Sequence, residues 1–211
     1  MNVVIFGASR GVGRCLVEHA LTGGNHHVTA AVRNPAAIHI TDDRLRVVPC
    51  DVLNPAAISQ AIAGQDVAFC TLGADSRRSP TTLYSEGAHN ILQGMQAHQV
   101  RRLIFLSNFG VLNETAPDVR SAALLFMAKR FIRHPLADHR RALEEIRRQA
   151  LEWIVVRPLP LTDSPWTGRY RIAVDSLPVK GTHIARADVA DFMLRQVTKD
   201  DYLYKAPAIA Y

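Results

Sequence analysis

Asn2-Val3-Val4-Ile5-Phe6-Gly7-Ala8-Ser9-Arg10-Gly11-Val12-Gly13 is a short apolar run that breaks into a glycine cluster. A continuous run of this kind suits a strand buried on both faces, the situation of a parallel sheet. Beyond the cluster, Gly13, Leu16, Val17, Ala20 and Leu21 recur at helical spacing, and Gly23-Gly24 ends the repeat. Strand, glycine loop and helix together form the context that a dinucleotide fingerprint requires. In that arrangement Gly7 permits the tight turn, Gly11 lets the backbone approach a pyrophosphate, and Gly13 lets the helix pack on the sheet. The helix start offers its N–H groups and positive dipole end to an anion. Gly7, Ser9, Arg10, Gly11, Val12 and Gly13 are therefore candidate cofactor contacts, with Arg10 as a candidate phosphate ligand.

The alternation continues along the chain. Residues 27–32, 45–49, 66–72, 102–106 and 153–156 read as strands, the last ended by Arg157-Pro158. Residues 55–63 read as a short helix. Ser79-Pro80 reads as an N-cap and first helical residue, followed by Leu83, Gly87, Ile91 and Met95 on one face. Residues 117–149 read as mostly helical, with a break before Pro135. The tail shows a turn at Trp166-Thr167-Gly168, a strand over 170–174 and a helix over 187–197. No linker or repeat interrupts this order. It predicts an α/β fold: one Rossmann-like, doubly wound domain over residues 1–211 with a mainly parallel sheet.

The second strand ends Ala30-Ala31-Val32-Arg33-Asn34. An NAD site usually places an acid near this point for the ribose hydroxyl. Here Arg33 stands instead, and a guanidinium suits a 2′-phosphate. The cofactor expected is NADP(H). Asp51 and Val52 follow the third strand, at the adenine border, although Asp51 also suits a turn cap before Pro55. Leu72, Gly73 and Pro158, at later strand ends, complete the candidate contacts.

Composition narrows the function classes. The chain has 211 residues, 48% apolar and 21% charged, as expected of a globular protein. No apolar run reaches the length of about 18 residues that spans a bilayer. The N-terminus lacks the basic region of a signal peptide, so a cytoplasmic location is expected, with no membrane partner. Cys15, Cys50 and Cys70 are scattered and form no CxxC pair, which argues against a disulfide framework or zinc site. The net charge is +6, with Lys129, Arg130, Arg133, Arg140, Arg141 and Arg147 in one stretch. Asp138, Glu144 and Glu145 interrupt it, so a solvated helical surface that attracts an anionic cofactor is expected rather than a nucleic-acid face.

Gly64-Gln65-Asp66, Leu72-Gly73, Ser79-Pro80-Thr81-Thr82, Ser85-Glu86-Gly87-Ala88 and Asn90-Ile91 resemble the biliverdin-IXβ reductase/flavin reductase group. That group belongs to the atypical short-chain dehydrogenases, near the NmrA-like proteins. The likeness resumes at Asp138-His139-Arg140, Thr167-Gly168-Arg169-Tyr170 and Asp191-Phe192-Met193-Leu194-Arg195. It implies a monomeric NADPH-dependent reductase. The hydride acceptor would be bulky and planar: a flavin, a quinone or a linear tetrapyrrole. It also places the active-site serine at Ser107, the one catalytic candidate. Two departures stand out. The loop reads GASRGVG where the group usually has GATGxTG. Pro160 occupies the position where the mammalian reductase has a histidine, which disfavours the tetrapyrrole.

No tyrosine has a lysine four residues on; Tyr84, Tyr170 and Tyr202 meet Ala88, Val174 and Ala206. The tyrosine–lysine proton relay of alcohol dehydrogenation is therefore missing. Reduction of a flavin or quinone does not need it, because the ring is already electrophilic. Ser107 is read as a polar anchor beside the nicotinamide or acceptor, and Phe109, Leu159 and Trp166 as candidate walls. Arg77 and Arg78 read as a solvated loop, with contact to an anionic acceptor as the alternative, and His139 as a surface helix residue, with a place at the acceptor site as its alternative. The alternative is a non-catalytic NmrA-like redox sensor that binds NADP and acts through a protein partner. A sugar-nucleotide epimerase is disfavoured by the short chain.

Overall fold

The apolar run at the N-terminus forms β1 (Asn2–Phe6), and its alternation sorts side chains to two layers. Val4 and Phe6 join one hydrophobic cluster, while Val3 and Ile5 join another on the opposite face. Both sets are fully buried, as a strand interior to a parallel sheet demands. The structure is a computed structural model and describes residues 1–23, 26–74, 79–112 and 114–211, with no side chain for Lys129. Gly24, Arg77 and Arg78 lie outside the described residues.

The other elements are α1 (Gly11–Thr22), β2 (His27–Val32), β3 (Leu45–Pro49), α2 (Pro55–Ile62), β4 (Val67–Cys70), α3 (Leu83–Ala97) and β5 (Arg102–Leu106). After them come α4 (Val119–Phe131), α5 (Arg133–Arg147), β6 (Glu152–Pro158), β7 (Leu161–Thr162), β8 (Arg171–Ala173), β9 (Ile184–Ala185), α6 (Arg186–Arg195) and β10 (Ala208–Ala210). A 3₁₀ turn covers Pro35–Ala37. The main sheet runs β3-β2-β1-β4-β5-β6-β10-β8. All pairs in it are parallel except β10 with β8. β7 and β9 form a separate parallel pair. The chain reverses its direction of travel across the sheet at β1 and β4, the switch point where open α/β sheets bind ligands. α1 and α6 cover one face, and α2, α3 and α5 the other. The α/β doubly wound expectation is met. No helix among the described residues is long and apolar enough to cross a membrane.

Two local expectations are corrected. α3 starts at Leu83, not at Ser79-Pro80. The cause is tertiary: the buried Asp138 carboxylate on α5 accepts from the Tyr84 N–H at 2.8 Å and from the Ser85 hydroxyl. It thereby caps α3 from another helix. β6 does not stop before Arg157-Pro158 but includes both, because Arg157 N–H donates to Pro207 and its side chain is buried in an ion pair with Glu114. The helical break falls before Pro135 as expected, at Ile132, and Pro135 sits in the first turn of α5, where a missing N–H costs nothing. β7, β9 and β10 were not legible in the sequence, because two- and three-residue strands carry no period.

Candidate functional site

The β1–α1 turn is built around contacts that only glycine allows. Gly7 has φ +84°, and a Cβ there would lie 2.7 Å from the Thr71 carbonyl at the end of β4. A Cβ on Gly13 would lie 2.3 Å from the Gly7 carbonyl. Thr71 tightens the same corner, its hydroxyl donating to the Phe6 carbonyl at 2.8 Å. The turn is thus wedged between strand ends, with Gly7 N–H donating to Ala31 at 3.2 Å. Gly11 differs. It has φ +59°, and nothing approaches its Cβ position closer than the Arg186 side chain at 3.7 Å. α1 has no side-chain cap bond and no acid in its first turn. Open backbone, first-turn N–H groups and a positive dipole end fit the phosphates of a dinucleotide. Ser9 and Val12 flank this turn, Ser9 half-buried and Val12 buried.

The remaining candidates sit around the strand ends. Arg10 lies at the N-cap of α1 and donates to the Gly73 carbonyl at 3.2 Å, which ties the glycine loop to the end of β4. Arg33 is exposed directly after β2, and Cys50 N–H donates to Val32, so Arg33 and Asp51 emerge from adjacent strand ends. The Asp51 carboxylate accepts from Leu53 N–H at 3.0 Å, a turn cap, while Asn54 caps α2. Val52 is buried against Gly87.

Leu72, Gly73, Ser107 and Pro158 converge on a cavity of about 550 Å³ at the carboxyl ends of β4, β5 and β6. Its walls are mostly apolar: Leu106, Phe109, Leu159, Leu124, Ala128, Ile132 and Pro135. Met127 and Phe131 of α4 border it. Ser107 is buried, and its hydroxyl has no hydrogen-bond partner among the described residues. A buried hydroxyl without a protein partner costs free energy unless something else engages it. Phe109 and Leu159 line the cavity as expected. Trp166 does not: it is exposed and packs edge-on against His19, 6.4 Å between centroids.

His139 corrects its surface assignment. It is buried, lines the same cavity, and stacks on Tyr84 with centroids 3.7 Å apart. Its Nδ1 has no partner among the described residues. Burial pulls its pKa down to about 4, with the Asp138 carboxylate opposing weakly, so the ring is neutral near pH 7. The apolar stripe of α5 carried the missed signal: Leu136, His139, Leu143 and Ile146 share one helical face. Arg186 at the start of α6 was also missed. It reaches the glycine loop beside Gly11 and pairs with Asp163 at 2.7 Å. No local sequence pattern points to it. The cysteines are free, and burial raises Cys50 to about 11 and Cys70 to about 12, so neither is a nucleophile.

A doubly wound sheet with an uncapped, glycine-built β1–α1 turn defines a Rossmann nucleotide-binding protein. The chain belongs to the NAD(P)H-binding family, whose sequence profile matches residues 7–200. It is similar to a Rossmann-fold NAD(P)-binding family protein from Shigella flexneri, with 27% identity and a TM-score of 0.77 over 99% of this chain and 92% of that one. A wide-type short-chain dehydrogenase/reductase from Veillonella parvula, solved with NADP, is 19% identical with a TM-score of 0.80 over 100% and 94%. A protein from Bacteroides thetaiotaomicron described as a candidate epimerase is 23% identical with a TM-score of 0.84 over 100% and 96%. In these last two the likeness is one of fold.

Proposed function

We propose that this protein is an NADPH-dependent reductase that delivers hydride to a planar acceptor, a flavin or a quinone, held in the cavity beside Ser107. The observation that carries the reading is that cavity: an open apolar slot with one unpartnered buried hydroxyl at the strand ends. The resemblance to the flavin reductase group supports it, and Pro160 on the cavity lining argues against a tetrapyrrole.

Gly7, Gly11, Gly13 and the first turn of α1 would hold the pyrophosphate, with Arg10 and Arg186 close by. Arg33 would select the 2′-phosphate, and no acid follows β2 to favour a free hydroxyl. The nicotinamide supplies the hydride when bound. Ser107 Oγ, on the cavity lining, would donate a hydrogen bond to the bound ring system. Phe109, Leu159 and Leu106 exclude water around it. His139, neutral near pH 7, would offer a ring nitrogen rather than a charge to the acceptor. The reduced acceptor would be protonated by water, since no tyrosine of the chain has a lysine four residues on to form the usual relay. We read residues 1–211 as one domain acting as a monomer.

The test is NADPH oxidation with FMN, a quinone and biliverdin offered in turn, then with NADH. Acceptor-dependent turnover that falls with NADH and drops in Ser107→Ala supports the reading. Tight NADP binding with no turnover on any acceptor would assign the protein to the sensor class.

A further inference from the structure

We propose that the outer face of α4 docks this protein on a lipid surface bearing anionic headgroups. Ten large hydrophobic side chains are exposed among the described residues, and four belong to this one helix: Val119 (86%), Phe126 (71%), Met127 (50%) and Phe131 (54%). The inner side of α4 is accounted for, since Leu125 and Ala128 are buried in the core. Val119, Ala122, Ala123 and Phe126 recur at intervals of three, four and seven residues on the outer side. The helix is therefore apolar on both sides. Such a helix belongs inside something, and the domain covers only half of it.

Charge identifies what covers the other half. Arg120, Lys129, Arg130 and Arg133 fall in a stretch, residues 119–137, that contains no acid. The acids that interrupt the basic run lie further on, in α5. Arg120, Arg130 and Arg133 are exposed and make no ion pair among the described residues. The Arg130 guanidinium lies over the Phe131 ring at 5.7 Å. The adjoining acid, Asp118, is committed to the fold, accepting from Ser121 N–H at 2.9 Å and Lys180 N–H at 2.8 Å. An apolar stripe flanked by cations alone is complementary to a bilayer interface, where rings enter the acyl boundary and cations meet phosphate.

A second copy fits less well. A two-fold contact through this face would set the same cations against each other. A partner protein would need hydrogen bonds, roughly one per 100–200 Å² of interface, and the outer stripe offers no neutral polar side chain. The sequence expectation of no membrane partner rested on the lack of a spanning segment, and surface docking needs none. Met127 and Phe131 belong both to this face and to the cavity lining. Docking would therefore bring the cavity to the bilayer, where a quinone dissolves. That consequence rests on the reductase reading, while the docking face does not.

The experiment sediments the intact protein with phosphatidylcholine vesicles and with vesicles about one-third phosphatidylglycerol. Binding is expected to the anionic vesicles alone and to weaken with added salt. Phe126→Ser should weaken it about tenfold. Arg120→Gln and Arg130→Gln should each weaken it about fivefold. None of the three residues lines the cavity, so NADPH binding should persist in each variant and report that it is folded. No binding to anionic vesicles overturns the proposal, as does binding indifferent to Phe126→Ser. A concentration-dependent dimer that Phe126→Ser dissolves overturns it in favour of a second copy. Vesicle binding without quinone turnover upholds the docking face and overturns only the quinone acceptor.

Discussion

Arg33 follows β2 where an acid would favour NAD, and its side chain is exposed. A guanidinium on a phosphate makes charge-assisted, forked hydrogen bonds that a free hydroxyl cannot match. Arg33→Ala should therefore weaken NADPH about ten- to a hundredfold while leaving NADH within about threefold. Titration of both nucleotides against the variant measures this, and equal losses would remove Arg33 as the selecting residue. The position of Arg33 directly after β2 was legible from sequence, because the apolar run marks where the strand ends. The surface reading preferred for His139 was wrong, and its alternative, a place at the acceptor cavity, matches where the ring lies. Its neighbours Asp138 and Arg140 are polar, and only the helical phase of α5 turns the ring inward onto Tyr84. The group makes a testable pH claim. Its folded pKa, about 4, lies below the unfolded value of 6.5. Above pH 6.5 both states are neutral and the contribution to stability is complete. Between 6.5 and 4 the unfolded chain binds a proton that the native state refuses, so stability falls, by on the order of 3 kcal/mol at the acid end. Denaturant unfolding across that range should show the slope, and His139→Phe should flatten it.

The glycine turn and the helices around it behave as elements. Gly7 and Gly13 are steric requirements of the turn, whereas Gly11 is an opening. Gly13→Ala drives a methyl to 2.3 Å from a backbone carbonyl, so β1, α1 and β4 must separate. We expect a loss of several kcal/mol and of nucleotide binding. Gly11→Ala meets only strain at φ +59° and a movable arginine, and should cost about 1–2 kcal/mol. Unfolding curves of the two variants distinguish these roles, and similar losses would contradict them. The glycine loop, β1, β2, β3 and β5 were all read correctly, since each is a short apolar run between turn signals. The start of α3 was misread, because its cap is supplied by Asp138, 54 residues beyond Tyr84 in sequence.

Across the whole molecule, one buried ion pair holds the late strands to the cavity wall. The side chains of Arg157 and Glu114 are fully buried and 2.7 Å apart. Arg157 also donates to the Ala206 and Val174 carbonyls, and Glu114 accepts from Gly110 N–H at 2.7 Å. Glu114→Gln would leave a buried guanidinium without its counter-charge and should cost about 3–5 kcal/mol. The double variant Glu114→Leu with Arg157→Met should recover much of that loss. Thermal and denaturant unfolding check both, and a mild effect of the single variant would show that the charge is relieved elsewhere. The sequence by itself determined the fold class, the sheet's central strands and the glycine-built β1–α1 turn, because local period and glycine placement encode them directly. Only the tertiary structure decided that Ser107 and His139 share one cavity, that Asp138 caps a distant helix, that Arg186 reaches the glycine loop, and that α4 is left with an uncovered apolar face. Each of these depends on which elements pack together, and packing is set by contacts between residues far apart in the chain, where no local pattern reaches.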